Sequence, residues 1–437
     1  MHGPRIDVIL DNRGGILRVI DNGGSRSRSR PLPTQRGNGE KKNRGYVSDQ
    51  GSDGWHPEFM DKIRNHNLAG LEPLRHVYVH IPFCARICPY CAFYKDHLDR
   101  SETPRFCEAI LAEIDFHAST RSIIPETIFF GGGTPTALST AQLRHLLQGF
   151  RERLDLSALR EWTIEANPGS VSARKAALLR ELGVTRISLG VQSWDDGLLK
   201  VLGREHNASQ AEVSFQILRD AGFENISIDL MFGLPGQTPA QWQSTLEKTI
   251  SLQPDHISAY CLTYEEDTDF FLRHSRGELR SDIEIEADFF ETAMSTLEAA
   301  GYQQYEISNY ARPGFDSVHN RAYWIGADYL GLGPSAFSTV GMQRWQNIPD
   351  YRAYADRVLS GQSSISSTEE LTDEAKRSER IALSLRTNEG IASTLMPADS
   401  DKVREFVELG LVREANGNLI LTPAGKSLAD TVAEAFI

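Results

Sequence analysis

From Arg75 onward, short β-branched or aromatic runs alternate with stretches of helical period. The runs at about 76–81, 126–130, 161–166, 186–191, 226–232 and 256–263 predict strands, and the segments near 102–117, 138–153, 171–182, 208–221 and 238–252 predict the helices between them. Strands separated in this way by helices point to βα units and a parallel sheet. Six such units in register make a partial or full barrel of the α/β class, whose chemistry sits on loops at the carboxyl ends of the strands. A further helix is expected at about 282–300. The last part reads as helices at 349–360, 371–386 and 401–410, a hairpin at 411–422 around Asn416-Gly417, and a final helix. Asn-Gly between apolar runs is a strong hairpin signal. Helices with a hairpin suggest a winged-helix-like α+β domain, serving as a lid over the barrel mouth or as a docking surface.

Residues 1–72 break the pattern. The first 50 hold ten Lys/Arg against five Asp/Glu and the run Ser25-Arg-Ser-Arg-Ser-Arg30, with little hydrophobic periodicity after Ile20. That composition predicts a largely disordered basic extension. A targeting peptide or a nucleic-acid-binding arm are the functional alternatives, and Asp7 and Asp11 weaken the first. The expected plan is therefore an extension at 1–72, the barrel with its own extension at 73–345, and a C-terminal domain at 346–437.

The 437 residues suffice for a substantial core. Their formal charge of −13 argues against nucleic-acid binding, whose usual footprint is a basic patch. No run of roughly 18 apolar residues predicts a transmembrane helix, and no apolar signal-peptide core is present, so a soluble cytoplasmic protein is expected. Five cysteines, three of them clustered, fit a reducing compartment and metal binding better than a disulfide framework. The sequence leaves a homodimer open.

The three clustered cysteines lie in His80-Ile-Pro-Phe-Cys84-Ala-Arg-Ile-Cys88-Pro-Tyr-Cys91-Ala-Phe93. Iron–sulfur clusters are held by thiolates, and three ligands on a four-iron cubane leave one iron open to an exogenous molecule. A zinc knuckle completed by His80 or His97 is an alternative, although structural zinc sites more often come as two separated pairs. Inert buried thiols are another. Further along, strand 126–130 runs into Gly131-Gly-Gly-Thr-Pro-Thr136, where three glycines let backbone approach a ligand closely or simply make a tight turn. Strand 161–166 ends at Glu165, and Gln192, Arg204 and Asp229 follow at or beyond later strand ends. Asp229 is a charge inside an apolar run, so it is either satisfied by neighbours or reserved for ligand hydroxyls.

The cysteine spacing, with Tyr90 before the last thiol, resembles the cluster loop of the radical S-adenosylmethionine (SAM) superfamily. From Val77 to Glu266 the chain more closely resembles the coproporphyrinogen oxidase family, which comprises the oxygen-independent enzyme of haem synthesis and its haem-chaperone relatives. The motifs are VYVHIPFCxxxCxYC, FFGGGTPT, IEANP, SLGVQS and IDLMFGLPGQ. The resemblance implies a partial (β/α)6-type radical SAM barrel, a 4Fe–4S cluster on Cys84, Cys88 and Cys91, and SAM contacts from Tyr78, Tyr90, Gly132, Gly133, Thr134, Glu165, Gln192, Arg204 and Asp229. Arg204 suits the methionine carboxylate, because a planar guanidinium binds carboxylates bidentately.

The oxidase branch carries a fourth cysteine two positions past the third; here that position is Phe93, as in the chaperone branch. His319-Asn-Arg-Ala-Tyr-Trp324 resembles the HNxxYW motif of that branch, which implies haem on His319, for transfer to an acceptor haemoprotein. Where many relatives have GAH, this chain has Ser335-Ala-Phe337, so a customary histidine is absent. No catalytic residue is assigned. The competing activity is that of an anaerobic coproporphyrinogen III dehydrogenase.

Overall fold

The computed structural model describes residues 72–396 and 401–437, with the backbone of two N-terminal strands, Ile6–Leu10 and Ile16–Asp21. Those two pair antiparallel inside the segment expected to lack structure. The rest of 1–71 lies outside the described residues.

Six parallel strands form the centre: β1 (Leu74–Ile81), β2 (Ile123–Gly132), β3 (Glu161–Ala166), β4 (Arg186–Gln192), β5 (Ile226–Phe232) and β6 (His256–Cys261). Helices α1 (Thr103–Thr120), α2 (Thr140–Arg153), α3 (Ala173–Glu181), α4 (Ala208–Asp220) and α5 (Pro239–Ser251) connect them. The sheet is extended past β6 by β8 (Asn309–Ala311), antiparallel to β6, and then by β7 (Gln303–Glu306), antiparallel to β8, and past β1 by the parallel β9 (Leu330–Leu332). The strand order is linear from β7 to β9, which is the partial barrel expected.

Why these strands are buried on both faces is legible in their alternation. Val77, Val79 and Ile81 of β1, and Ile187, Leu189 and Val191 of β4, pack into the main apolar core. The intervening Tyr78 and His80, and Arg186 and Ser188, line an interior cavity instead. Parallel register then sets Tyr78 beside Phe129, Glu165 beside Ser188, and Gly190 beside Asp229. The helices start by one recurrent device: α2, α4 and α5 each begin with a reciprocal capping box, Ser139 with Gln142, Asn207 with Gln210 and Thr238 with Gln241. Each box satisfies two amide donors that the first turn leaves without partners.

Helix α6 (Ile283–Ala299) covers the β5–β6 side, where the Trp242 indole donates to the Phe289 carbonyl at 2.8 Å. Helix α7 (Val318–Trp324) follows β8 and packs against β2. Helix α8 (Tyr351–Leu359) lies against α1, and its Tyr351, Tyr354, Ala355 and Val358 belong to the main core, although the segment was grouped with the C-terminal domain. Glu113 of α1 holds this region together. Fully buried, it accepts from Gly333 N–H (2.7 Å), Asn347 Nδ2 (2.7 Å), Tyr354 Oη (2.6 Å) and Ser364 Oγ (3.0 Å). Burial pushes its carboxyl up to about 7 against the pull of these donors. A three-stranded antiparallel sheet, Phe337–Val340, Gln343–Asn347 and Ile365–Glu370, lies in a stretch where no strands were expected. Its last strand is mostly exposed and so carries no apolar alternation.

A second, smaller core begins at Ile381 on α9 (Asp373–Leu385) and includes Phe406 of α10 (Asp401–Glu408), Leu419, Val432 and Phe436. Its hairpin, Val412–Ala415 with Asn418–Leu421, turns at Asn416 and Gly417, both with positive φ, as a primed turn requires. No described residue of this unit lines the cavity around the three thiols. The unit attaches through the Glu306–Thr387 bridge, through Arg386 over the Trp324 ring, and through the ion pair of Arg321 with Glu389. The strongest link is Arg344, whose guanidinium forks onto Glu379 at 2.6 and 2.9 Å with both side chains buried.

Removing one member of a buried pair leaves the other as a desolvated charge. Glu379→Ala is therefore expected to lower unfolding free energy by about 3 kcal/mol, with the double variant Arg344→Met/Glu379→Leu recovering most of the loss. Denaturant titration checks this; a double variant as unstable as the single one contradicts it.

Candidate functional site

The three thiols surround a cavity of about 140 Å³ at the carboxyl end of the barrel, shared with Tyr90, Gly132, Gly133, Thr134, Gln192 and Arg204. A smaller space of about 40 Å³ adjoins it and brings in Glu165 and Asp229. A larger cavity of about 400 Å³ runs inside the barrel and is lined by Tyr78, Phe129, Arg186, His319 and Tyr323 among others. Ala92, Phe93, Gly132 and Tyr260 wall both the thiol cavity and the large one. The residues singled out from sequence are thus brought together, but in two compartments: Tyr78 and His319 line the large one, and the thiols with Arg204 line the other.

Strand β1 delivers the cysteine loop, and the glycines after β2 hold it. Gly133 N–H donates to the Ile81 carbonyl (2.8 Å) and Thr134 N–H to that of Phe83 (2.8 Å). A Cβ on Gly132 would meet the His80 ring at 2.5 Å, at φ +105°, and one on Gly133 would meet the Pro82 backbone at 2.6 Å. His80 Nε2 lies 2.9 Å from the Tyr94 carbonyl, which can only accept, so Nε2 carries the proton and Nδ1 accepts from the Tyr78 hydroxyl at 3.0 Å. Burial holds its pKa down at about 4. Both nitrogens being engaged, His80 cannot complete a zinc site. Among the described residues no three His, Cys, Asp or Glu side chains stand close enough to share one metal ion; the thiols are arrayed around a cavity instead, as ligands on three different irons of a cubane must be.

Arg204 sits against this loop. Its Nη2 donates to the Gly190 carbonyl (2.7 Å) and its Nη1 reaches Cys88 Sγ (3.8 Å). Burial works against its charge, but Tyr90 and Cys88 beside it hold its pKa above the ordinary value. Burial pushes the Cys84 thiol up to about 11, opposed by the Thr134 hydroxyl at 3.7 Å, so loading a cationic metal there releases a proton. Gln192 is buried at a bulge with φ +70°, a conformation seldom held without a functional reason. Glu165 accepts from Gly132 N–H at 3.2 Å. Asp229 accepts from Ser188 Oγ (2.9 and 2.8 Å) and Ser227 Oγ (2.9 Å), so neighbouring hydroxyls satisfy this charge within the apolar run.

In the large cavity, His319 is 2 % exposed. Its ring stacks on Phe129 (5.0 Å, 24°) and meets Tyr323 edge-on (4.9 Å). Glu161 receives the N–H groups of Val318 and His319 at 2.9 and 3.2 Å and so fixes the start of α7. Nδ1 lies 2.7 Å from Thr127 Oγ1, whose hydroxyl also meets His76 Nδ1 at 2.9 Å. Burial, then the neighbouring His76 and Arg186, hold the imidazole well below its usual pKa, hence neutral. Nε2 is buried and has no partner. Phe337, standing where a histidine is customary, lines the same cavity.

The Radical SAM superfamily model matches residues 78–249, a span that holds the three thiols, Gly132, Gly133, Thr134, Gln192 and Arg204 and ends before Tyr260 and His319. Over 376 residues the chain is 37% identical to the protein named heme chaperone HemW of Bacillus subtilis (strain 168), covering 83% of this chain and 99% of that protein. The chain belongs to the HemW family. The Escherichia coli (strain K12) HemW is 41% identical over 278 residues, 62% of this chain and 72% of that protein. Among solved structures, coproporphyrinogen III oxidase (HemN) from Escherichia coli, a radical SAM enzyme, superposes with a TM-score of 0.73 at 25% identity, covering 84% of this chain and 91% of that one. The fold is therefore the radical SAM fold common to the HemW family and HemN.

Sequence reasoning missed Arg186, Thr127 and His76. Arg186 carried the same signal that exposed Asp229, a charge at an inward position of an apolar strand. Thr127 and His76 carried none, because parallel register sets them side by side and the packing of α7 on β2 brings His319 to them. Gly132→Ala is expected to destabilise the protein by about 1–3 kcal/mol through its positive φ alone, and to lower the iron retained after anaerobic reconstitution. Denaturant titration with iron analysis checks both; unchanged stability and iron content would show that the glycine is not required.

Proposed function

We propose that this protein is a cytoplasmic haem chaperone, which holds a 4Fe–4S cluster and SAM in the thiol compartment and carries haem in the large cavity for transfer to an acceptor haemoprotein. The observation that carries the reading is His319, one of the residues lining a cavity of about 400 Å³: a neutral, buried imidazole, stacked on Phe129, whose Nε2 has no partner. That volume falls in the range of ligand sites, roughly 300–1,000 Å³. Full-length likeness to proteins named heme chaperone HemW supports it. Five free cysteines suit a reducing cytoplasm.

In this reading Cys84, Cys88 and Cys91 ligate three irons. The cluster, when bound, supplies an open iron for SAM and a one-electron donor. Arg204 presents its guanidinium to the methionine carboxylate, the Gly132 and Gly133 backbone approaches the amino group, and Glu165 and Asp229 accept from ribose hydroxyls. Tyr90 and Gln192 close the compartment. His319 offers Nε2 to haem iron, while Phe129 and Tyr323 flank the ligand with aromatic surface.

Phe93 occupies the wall between the two compartments, at the position where the oxidase branch has its further cysteine. This favours the chaperone over the coproporphyrinogen III dehydrogenase, although the fold is shared with HemN. Anaerobically reconstituted protein is expected to bind about four irons and four sulfides per chain, lost on Cys88→Ala. It should also bind haem with an affinity that His319→Ala lowers by roughly tenfold or more, equivalent to about 1.4 kcal/mol. Conversion of coproporphyrinogen III with SAM and a reductant would assign the enzyme instead, and unchanged haem affinity in His319→Ala would remove that residue as ligand.

A further inference from the structure

We infer that Arg186 is the carboxylate anchor of the large cavity: resting on the haem reading above, its guanidinium receives a propionate group of the bound porphyrin. Arg186 and Arg344 are the two fully buried arginines among the described residues, at 1 % and 5 % exposure. Arg344 has its carboxylate fork in Glu379. The Arg186 side chain makes no hydrogen bond or ion pair to any described residue, and its buried Nε is without an acceptor. A desolvated cation without a counter-charge is costly, which is why removing one partner of a buried pair is strongly destabilising. The chain nevertheless builds one into the centre of its sheet.

The surroundings offer no internal solution. The carboxylates nearest in role, Glu165 and Asp229, line the same cavity but are bound to Gly132 N–H and to Ser188 and Ser227. Glu161 is engaged by α7 and Thr163. His256 and His319, close enough to feel the charge, are both held neutral by burial and further by Arg186 itself. The missing anion must come with the ligand. A guanidinium matches a carboxylate with two parallel N–H···O bonds. The SAM carboxylate has its own arginine, Arg204, in the other compartment. Haem carries both an iron for His319 Nε2 and a carboxylate for Arg186, and both residues line one cavity.

The test is absorbance titration of the full-length, reconstituted protein with haem and with haem dimethyl ester, which keeps the iron and ring but has no free carboxylate. Wild type is expected to bind haem roughly 10- to 100-fold more tightly than the ester, the range of a charge-assisted hydrogen-bonded pair. Arg186→Gln should bind haem as weakly as wild type binds the ester, with the iron-ligation spectrum retained, and should not distinguish the two. Arg186→Lys should recover part of the discrimination. Equal affinity of wild type for haem and ester overturns the proposal, with no variant needed. If wild type binds haem through His319 yet ignores esterification, Arg186 alone is misassigned; if it binds no haem at all, the chaperone reading falls with it.

Discussion

A parallel sheet wrapped by helices has both faces out of water, and here the inner face is polar. That combination governs the molecule. Outward positions follow the ordinary hydrophobic rule and pack against α1 to α6. Inward positions carry His, Ser, Thr, Asp, Glu and Arg, each of which needs a partner because an unpaired buried polar group is penalised. Most have one: Asp229 from two serines, Glu161 from the start of α7, His80 from Tyr78 and the Tyr94 carbonyl. Two groups on the cavity wall do not, His319 Nε2 and the Arg186 guanidinium. Other buried polar atoms also lack a partner, among them Trp162 Nε1 and Glu306 Oε2, but these two belong to residues that line the large cavity, where a ligand can supply one.

The cysteine loop depends on the same interior. Its position is set less by its own sequence than by the glycines of the neighbouring strand, which lie where a side chain would strike His80 or Pro82. His80 in turn ties Tyr78 of the large cavity to Tyr94 beyond the last cysteine. The thiol compartment and the large cavity are consequently two rooms of one barrel, divided by Ala92 and Phe93. The C-terminal unit, fastened by Arg344 and Glu379, braces the segment that carries His319 rather than the thiol end. Among the described residues, none beyond Gln346 lines the three cavities.

Most strands and helices were legible because period-2 and period-3.6 patterns survive wherever one face packs on an apolar core. The Asn416-Gly417 hairpin was legible from turn chemistry alone. The sheet at 337–370 was not, since its last strand is largely exposed and shows no alternation. The division of the chain near 346 missed that α8 is needed by α1: Glu113 is recruited by Tyr354 and Ser364 from more than 200 positions away, and nothing local announces it.

By itself, the sequence determined the βα order, the spacing of the three thiols, the glycines beside them and the presence of charges inside apolar strands. Those are local properties, written in periodicity and in side-chain chemistry. Tertiary structure decided that Tyr78 and His319 share a room separate from the thiols, that Asp229 is satisfied while Arg186 is not, and that no described residue of the C-terminal unit lines the thiol cavity. These are properties of register and packing: whether a buried charge has a partner depends on what the strands beside it bring to the same level of the barrel.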